Sequence, residues 1–324
     1  MSHAIVIHET GGPEVLRWEE VEVGPPGRGQ VRVRHTAIGV NFIDVYLRSG
    51  LYRTLDLPGI PGMEGAGVVE DIGEGVTEVK VGDRVAYACL PPGAYAEERV
   101  MPADHLVIMP DKIDDRMAAA MMLKGMTAEY LLHRTHKVTP EQAILVHAAA
   151  GGVGLLLCQW AHHIGATVIG TVSSVEKAAL AEAHGCDHPI VYTREDFVER
   201  VKEITGGRGV NVVYDGIGKD TFLKSLDCLA RFGHLVSFGQ ASGAVEPFNL
   251  GLLSAQSASV TRPTLFHYTA AREDLESITR NLADAVGSGI VKIEVNQTYP
   301  LREAAAAHRD LESRKTTGST VLVP

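Results

Sequence analysis

The sequence predicts an α/β protein of two lobes, one mostly β and one built on a doubly wound parallel sheet. Three observations carry that prediction. The chain has 324 residues, enough for two domains of ~100–200 residues each. Its first 120 or so residues alternate apolar and polar positions in the strand manner between Gly and Pro turns, and from about residue 143 short apolar runs alternate with helical patterns. Strands alternating with helices imply a parallel sheet with right-handed crossovers.

In the first lobe, Gln30 to Val40 shows period-two alternation, the mark of a half-buried strand. Residues 41–52 (NFIDVYLRSGLY) interrupt the strands with a short helix that Gly50 ends as a C-cap. Residues 64–73 form a small, glycine-rich strand, and residues 83–100 read as two strands around the turn Pro91-Pro92-Gly93. In the second lobe, residues 143–147 are a short apolar strand. Val153, Leu156, Leu157, Trp160 and Ile164 then fall on one helical face, and residues 166–171 (ATVIGT) are the next strand. Three further strands follow near 189–192, 210–215 and 234–239, with helices around 195–204 and 220–230 between them. The tail carries a polar helix over 272–286, a strand near Ile293, an alanine-rich helix over 302–312 and a last strand at 319–324. Too short for another domain, it is expected to return to the N-terminal lobe. The expected division is therefore 1–124 with 265–324 in one domain and 125–264 in the other.

Composition narrows the function. Thirty Lys and Arg against 40 Asp and Glu leave a net charge of −10, the wrong sign for a phosphate-backbone surface, so nucleic acid is not an expected partner. Residues 142–175 contain no charged side chain, but Gly151, Gly152, Gly154, Gly165 and Gly170 interrupt the run. It reads as strand, helix, strand, with no membrane span. Cys89, Cys158, Cys186 and Cys228 are widely spaced, with no CxxC and no secretory start, which suits a reducing cytoplasm.

The strongest motif is HAAAGGVG, residues 147–154, between a predicted strand and a predicted helix. As a dinucleotide fingerprint it places Ala149 at the first glycine position, Gly151 at the second and Gly154 at the third. Gly151 leaves the backbone open to a pyrophosphate at the helix N-terminus, and Gly154 permits close packing of helix on strand. The position ~20 residues on that holds an acid in NAD-preferring sites is Val172, followed by Ser173, Ser174 and then Lys177. Hydroxyls and a cation suit a 2′-phosphate, so the expected cofactor is NADPH. No metal is expected, because no three- or four-ligand Cys/His spacing exists; the cluster His184, Cys186 and His188 reads as turn residues.

The segments GGPEVL, AIGVNFIDVYLRSGLY, PGMEGAGVVEDIGEGV, GDRVAY, GAYAEE, LKGMTAEYLL, HAAAGGVG, VVYDGIG, VSFGQASG and ESRKTTGS span almost the whole chain. In these the chain resembles the medium-chain dehydrogenase/reductase superfamily, specifically its zinc-free, zeta-crystallin-like NADPH:quinone oxidoreductases. The resemblance implies a GroES-like catalytic domain beside a Rossmann NADPH-binding domain, and hydride transfer to a quinone in the cleft between them. Where zinc-dependent relatives carry a cysteine ligand this chain has Asn41, and for their His-Glu pair it has Met63-Glu64. By the same resemblance Asn41, Tyr46 and Tyr52 face substrate and nicotinamide, Tyr46 and Tyr52 flanking a planar ring. Thr127 touches the cofactor; Gly151, Gly152 and Val153 hold the pyrophosphate, with Thr171 at the end of the second strand. Ser174, Lys177 and Tyr192 surround the adenosine phosphate, and Phe238 and Gly239 lie by the nicotinamide. A homodimer through the edge strand near Ser259 to Arg262 is also implied. Reduction of activated C=C bonds in enals or enones is the alternative chemistry. A non-catalytic NADPH- or RNA-binding role is a further alternative, disfavoured for RNA by the −10 charge.

Overall fold

The computed structural model describes residues 1–324. The chain runs through strands β1 (Ser2–Val6), β2 (Arg17–Val21) and β3 (Gln30–Val40), helix α1 (Phe42–Ser49), and strands β4 (Glu64–Ile72), β5 (Arg84–Ala88), β6 (Glu98–Pro102) and β7 (Val107–Ile108). Helix α2 (Asp115–Tyr130) leads to β8 (Ala143–His147), α3 (Gly152–Ile164), β9 (Thr167–Val172), α4 (Val175–Glu182), β10 (His188–Val191), α5 (Phe197–Ile204), β11 (Val210–Asp215), α6 (Phe222–Leu226), β12 (Leu229–Ser237) and β13 (Ser259–Thr261). Helices α7 (Leu265–Tyr268) and α8 (Arg272–Gly287), β14 (Val295–Pro300), α9 (Ala304–Glu312) and β15 (Ser319–Val323) complete it. Met1–Lys124, Thr269–Arg280 and Ile293–Pro324 form one compact unit, Gly125–Tyr268 and Asn281–Lys292 a second.

In the first unit the main sheet runs β14-β15-β3-β4-β5-β7, with β6 on the other part of β3. Of the tail, β15 pairs antiparallel with β3, whereas residues 265–268 and Asn281–Lys292 belong to the second unit, so only part of it joins the first. Strand β3 serves three partners; its first part alternates, with Val31, Val33 and His35 buried and Arg34 exposed, and its last four residues, Ala37 to Val40, are all buried. The two strands around Pro91-Pro92-Gly93 are not a hairpin. β5 pairs with β4 and β7, and β6 with β3, because the intervening residues hydrogen-bond elsewhere, Gly93 and Ala94 to the Gly62 carbonyl and Tyr95 to Pro61.

A buried polar chain ties α1 to α9. Asp44 has no exposure; its Oδ2 accepts from the Asn41 N–H at 2.8 Å and from the Tyr95 hydroxyl at 3.2 Å. Tyr95 meets His308 Nε2 at 2.9 Å, and Arg48 donates to His308 Nδ1 at 3.2 Å. A guanidinium only donates, so His308 Nδ1 accepts and its proton sits on Nε2. Burial raises the Asp44 carboxyl to about 7 and lowers His308 to about 3, the Arg48 charge adding to the latter. Arg48 closes the chain with a two-pronged bond to Glu312, 2.8 Å on each arm, and donates to the Gly11 carbonyl at 3.1 Å.

The second unit is a six-stranded all-parallel sheet in the order β10-β9-β8-β11-β12-β13. Renumbered from β8, that order is 3-2-1-4-5-6, the Rossmann arrangement, which reverses direction between β8 and β11. The charge-free run 142–175 forms β8, α3 and β9, and no helix of the chain is long and apolar enough to cross a membrane. Leu156, Leu157 and Trp160 of the expected α3 face are buried. All four cysteines are buried and unpaired.

Arg48 is 2% exposed, so Arg48→Met leaves His308, the Gly11 carbonyl and the Glu312 carboxylate without their donor. Losing one partner of a buried ion pair costs ~3–5 kcal/mol; the Glu312 side chain is 35% exposed, so a loss nearer ~2–3 kcal/mol is expected in urea unfolding. A loss below ~0.5 kcal/mol would show that the chain of bonds adds nothing to stability.

Candidate cofactor and substrate sites

In the second unit the candidate cofactor residues gather at the carboxyl ends of the parallel strands. The segment between β8 and α3 lies at the reversal point of the sheet, where ligands of such folds bind. Gly151 precedes α3 in extended conformation, and no side chain caps the helix. The first N–H groups of Gly152, Val153 and Gly154 therefore have no intrahelical acceptor, no acid lies in the first turn, and the helix dipole adds positive potential there. A Cβ on Gly154 would run into the Ala148 carbonyl and the Ala149 backbone, which accounts for glycine at the third position.

The tight turn itself falls one residue earlier than the fingerprint placed it. Ala148, not Ala149, adopts the left-handed conformation, with φ 53°. Such a backbone costs an L-residue roughly 1–2 kcal/mol. It is held by Gly151 N–H donating to the Ala148 carbonyl at 2.8 Å and Ala149 N–H to the Thr171 carbonyl at 3.0 Å. Nothing in an alanine signals this from sequence.

Thr171 is buried at the end of β9. Ser174 is the N-cap of α4, its Oγ accepting from the Lys177 N–H at 3.3 Å, and its hydroxyl also bonds the Glu176 carboxylate, lowering that acid's pKa. Helix capping thus accounts for Ser174 without a ligand, and Glu176 is an acid the sequence reading did not weigh. Tyr192 follows β10, its N–H on the Val172 carbonyl at 3.1 Å, and Thr193 donates to the Ser173 carbonyl at 3.2 Å, so the Tyr192 and Ser174 segments are neighbours. Phe238 and Gly239, just past β12, both donate to the Asp215 carbonyl, at 2.9 and 3.3 Å. Thr127 is a buried residue of α2.

In the first unit Asn41 is the N-cap of α1 and 5% exposed. Its Nδ2 donates to Glu64 Oε2 at 2.8 Å. Glu64, without exposure, also accepts from the Leu123 N–H at 2.7 Å and the buried Lys124 Nζ at 3.4 Å. Gly39 makes room for it, since a Cβ there would strike the Glu64 carboxylate and the Ala119 carbonyl. Sequence reasoning passed over Lys124 and the role of Glu64; a lysine beside an apolar helix run was the available signal. Tyr46 is buried and Tyr52 half-buried. Their rings touch edge to face at 5.0 Å between centroids, so they do not form two walls around an empty slot; Tyr52 N–H donates to the Tyr46 carbonyl at 3.0 Å. Edge-to-face contact with a neighbouring ring satisfies each quadrupole. No group of three or more His, Cys, Asp or Glu is arranged to hold a metal ion. Of the turn cluster, Cys186 is buried while His184 bonds the Leu180 carbonyl at 2.8 Å.

Residues 27–145 match the alcohol dehydrogenase GroES-like domain family, and residues 152–284 the zinc-binding dehydrogenase family. A quinone oxidoreductase of Pseudomonas aeruginosa is 52% identical over 325 residues, covering all of both chains. A 2-haloacrylate reductase of a Burkholderia species is also 52% identical, over 334 residues that cover 100% of this chain and 99% of its own. Among solved structures, the Escherichia coli quinone oxidoreductase complexed with NADPH superposes with a TM-score of 0.97 at 48% identity, covering 99% of this chain and 100% of its own. With the Rossmann strand order in one unit, the GroES-like match in the other and end-to-end likeness of this degree, the chain belongs to the zinc-free quinone oxidoreductase family of the medium-chain dehydrogenase/reductase superfamily.

Proposed function

We propose that the chain is an oxidoreductase that binds NADPH and reduces quinones. The observation that carries this reading is the full-length match, at 48% identity, to a quinone oxidoreductase whose structure holds NADPH. The residues present fit that cofactor. The uncapped start of α3 offers N–H donors and positive potential to a pyrophosphate, and no acid stands at the end of β9, where Val172, Ser173 and Ser174 follow one another. Bound NADPH supplies a hydride from C4 of its nicotinamide.

The protein's own part is to orient, the proton coming from solvent or from a Tyr hydroxyl with no single obligatory acid. Asn41, anchored through its amide to Glu64, and the Tyr46–Tyr52 pair are the proposed substrate-side groups. Tyr52 presents a half-buried phenol, and a hydroquinone is itself a phenol of pKa near ~10, so its anion forms and is reprotonated without a Lewis acid. Holding a flat acceptor at near-attack distance contributes ~7–11 kcal/mol in favourable cases.

Reduction of an activated C=C bond is the second reading, favoured by the equal identity of the 2-haloacrylate reductase. Steady-state NADPH oxidation with 1,4-quinones, 2-enals and 2-haloacrylate decides between them. Faster turnover of the quinones is expected; faster turnover of an enal or haloacrylate at matched NADPH would overturn the quinone assignment.

Lys177, with Ser174 and Tyr192, is proposed to select the 2′-phosphate. A charge-assisted hydrogen bond is worth ~1.5–3 kcal/mol, or about ten- to a hundredfold. Lys177→Ala should raise KM for NADPH by at least about tenfold and leave that for NADH nearly unchanged; equal losses for both would refute the role.

The working form is proposed to be a homodimer in a reducing cytoplasm. Strand β13 has a neighbour on one side only, and Phe232, Leu250 and Leu252 near it are 67%, 72% and 53% exposed. A bare edge with apolar neighbours invites pairing, and a closed two-fold arrangement is its commonest form. The four buried, unpaired cysteines suit a reducing compartment. Sedimentation at micromolar concentration should find two chains per particle, and a monomer alone would dismiss the dimer.

A further inference from the structure

His147 is the last residue of β8 and directly precedes the left-handed Ala148. Its ring is 2% exposed and packs edge to face on Phe197, centroids 5.1 Å apart. Nδ1 lies 2.9 Å from Thr171 Oγ1, and Nε2 lies 2.9 Å from Ser225 Oγ. The neighbours fix which nitrogen carries the proton. Ser225 donates its hydrogen to the Thr221 carbonyl at 2.8 Å, so its oxygen accepts from Nε2–H. Nδ1 is then the acceptor, and the Thr171 hydroxyl donates to it. Further along, Thr221 Oγ1 donates to the Asp215 carboxylate at 2.9 and 3.0 Å, and that carboxylate also accepts from the N–H groups of Ile217 and Gly218 at 2.8 and 3.1 Å. From Thr171 through His147 to Ser225 every hydrogen therefore has a determined direction, and burial, which lowers the His147 pKa, favours the neutral ring this pattern needs.

We propose that His147 is a positioning residue for NADPH: it bridges β9 to α6 from the end of β8 and so holds the strained Ala148 turn and the start of α3 in the shape that receives the pyrophosphate. The same Thr171 whose side chain bonds His147 accepts the Ala149 N–H through its carbonyl, so the bridge and the turn share one residue. The Asp215 end of the row lies where the Phe238 and Gly239 N–H groups converge, joining both proposed ends of the cofactor site. The inference rests on the reading of the protein as an NADPH enzyme.

His147→Leu fills the site but makes neither bond, whereas His147→Gln keeps one acceptor and one donor at similar separation. The NADPH dissociation constant is read from nicotinamide fluorescence, and kcat and both KM values from quinone reduction. His147→Leu should raise the NADPH dissociation constant and KM about tenfold, with kcat at saturating NADPH and the quinone KM within about twofold of wild type. His147→Gln should recover cofactor binding to within about threefold. Unchanged NADPH binding in His147→Leu, equal losses in the two variants, or a loss confined to kcat would each overturn the proposal. If His147→Leu does not fold, Ser225→Ala carries the test, with a rise of about threefold or more expected in the NADPH dissociation constant at unchanged kcat, and no rise counting against it. Wild-type protein that fails to bind NADPH would defeat the underlying cofactor reading instead, a result visible before any variant is made.

Discussion

The turn between β8 and α3 constrains the second unit more than any other feature. Ala148 must stay left-handed, and the helix must start so close to it that residue 154 has room for no side chain beyond hydrogen. Holding an L-residue there is unfavourable by itself, so the surrounding bonds have to over-determine it. The bonds to the Ala148 and Thr171 carbonyls, and the buried imidazole one residue before, do so. In return the first amides of α3 have no intrahelical acceptors and no side-chain cap, which is what anion recognition at a helix start requires.

The first unit meets a comparable demand with side chains. Helix α1 carries Asn41 at its head and Tyr46 within it, and it is short, so packing and polar anchoring hold it in place where its own backbone bonds would not suffice. Asp44, Tyr95, His308, Arg48 and Glu312 form that anchor, and the Glu64 carboxylate anchors the Asn41 amide from the other side. An asparagine whose Nδ2 is committed to a buried carboxylate, next to Met63 instead of a histidine, gives the position the character of a hydrogen-bonding site.

Several residues divide their duties between structure and proposed function. Ser174 caps α4 and bonds Glu176, so the proposed preference for a phosphate rests more on Lys177 than on the pair of serines. Tyr46 and Tyr52 touch each other edge to face.

Much of this was legible in the sequence because it depends on local rules. The period-two start of β3, the helix ending at Gly50, and the strand, glycine turn and helix at 143–164 all follow from steric and periodic constraints acting within a few residues. What the sequence could not announce are contacts between residues far apart in the chain. The separate partners of β5 and β6, the bridge from His147 to Ser225, the pairing of Glu64 with Asn41 and Lys124, and the reach of Arg48 to Glu312 each join elements that only the completed sheets bring together. The left-handed Ala148 belongs with them: alanine prefers the opposite conformation, and only the surrounding tertiary hydrogen bonds make the unfavourable one the stable choice.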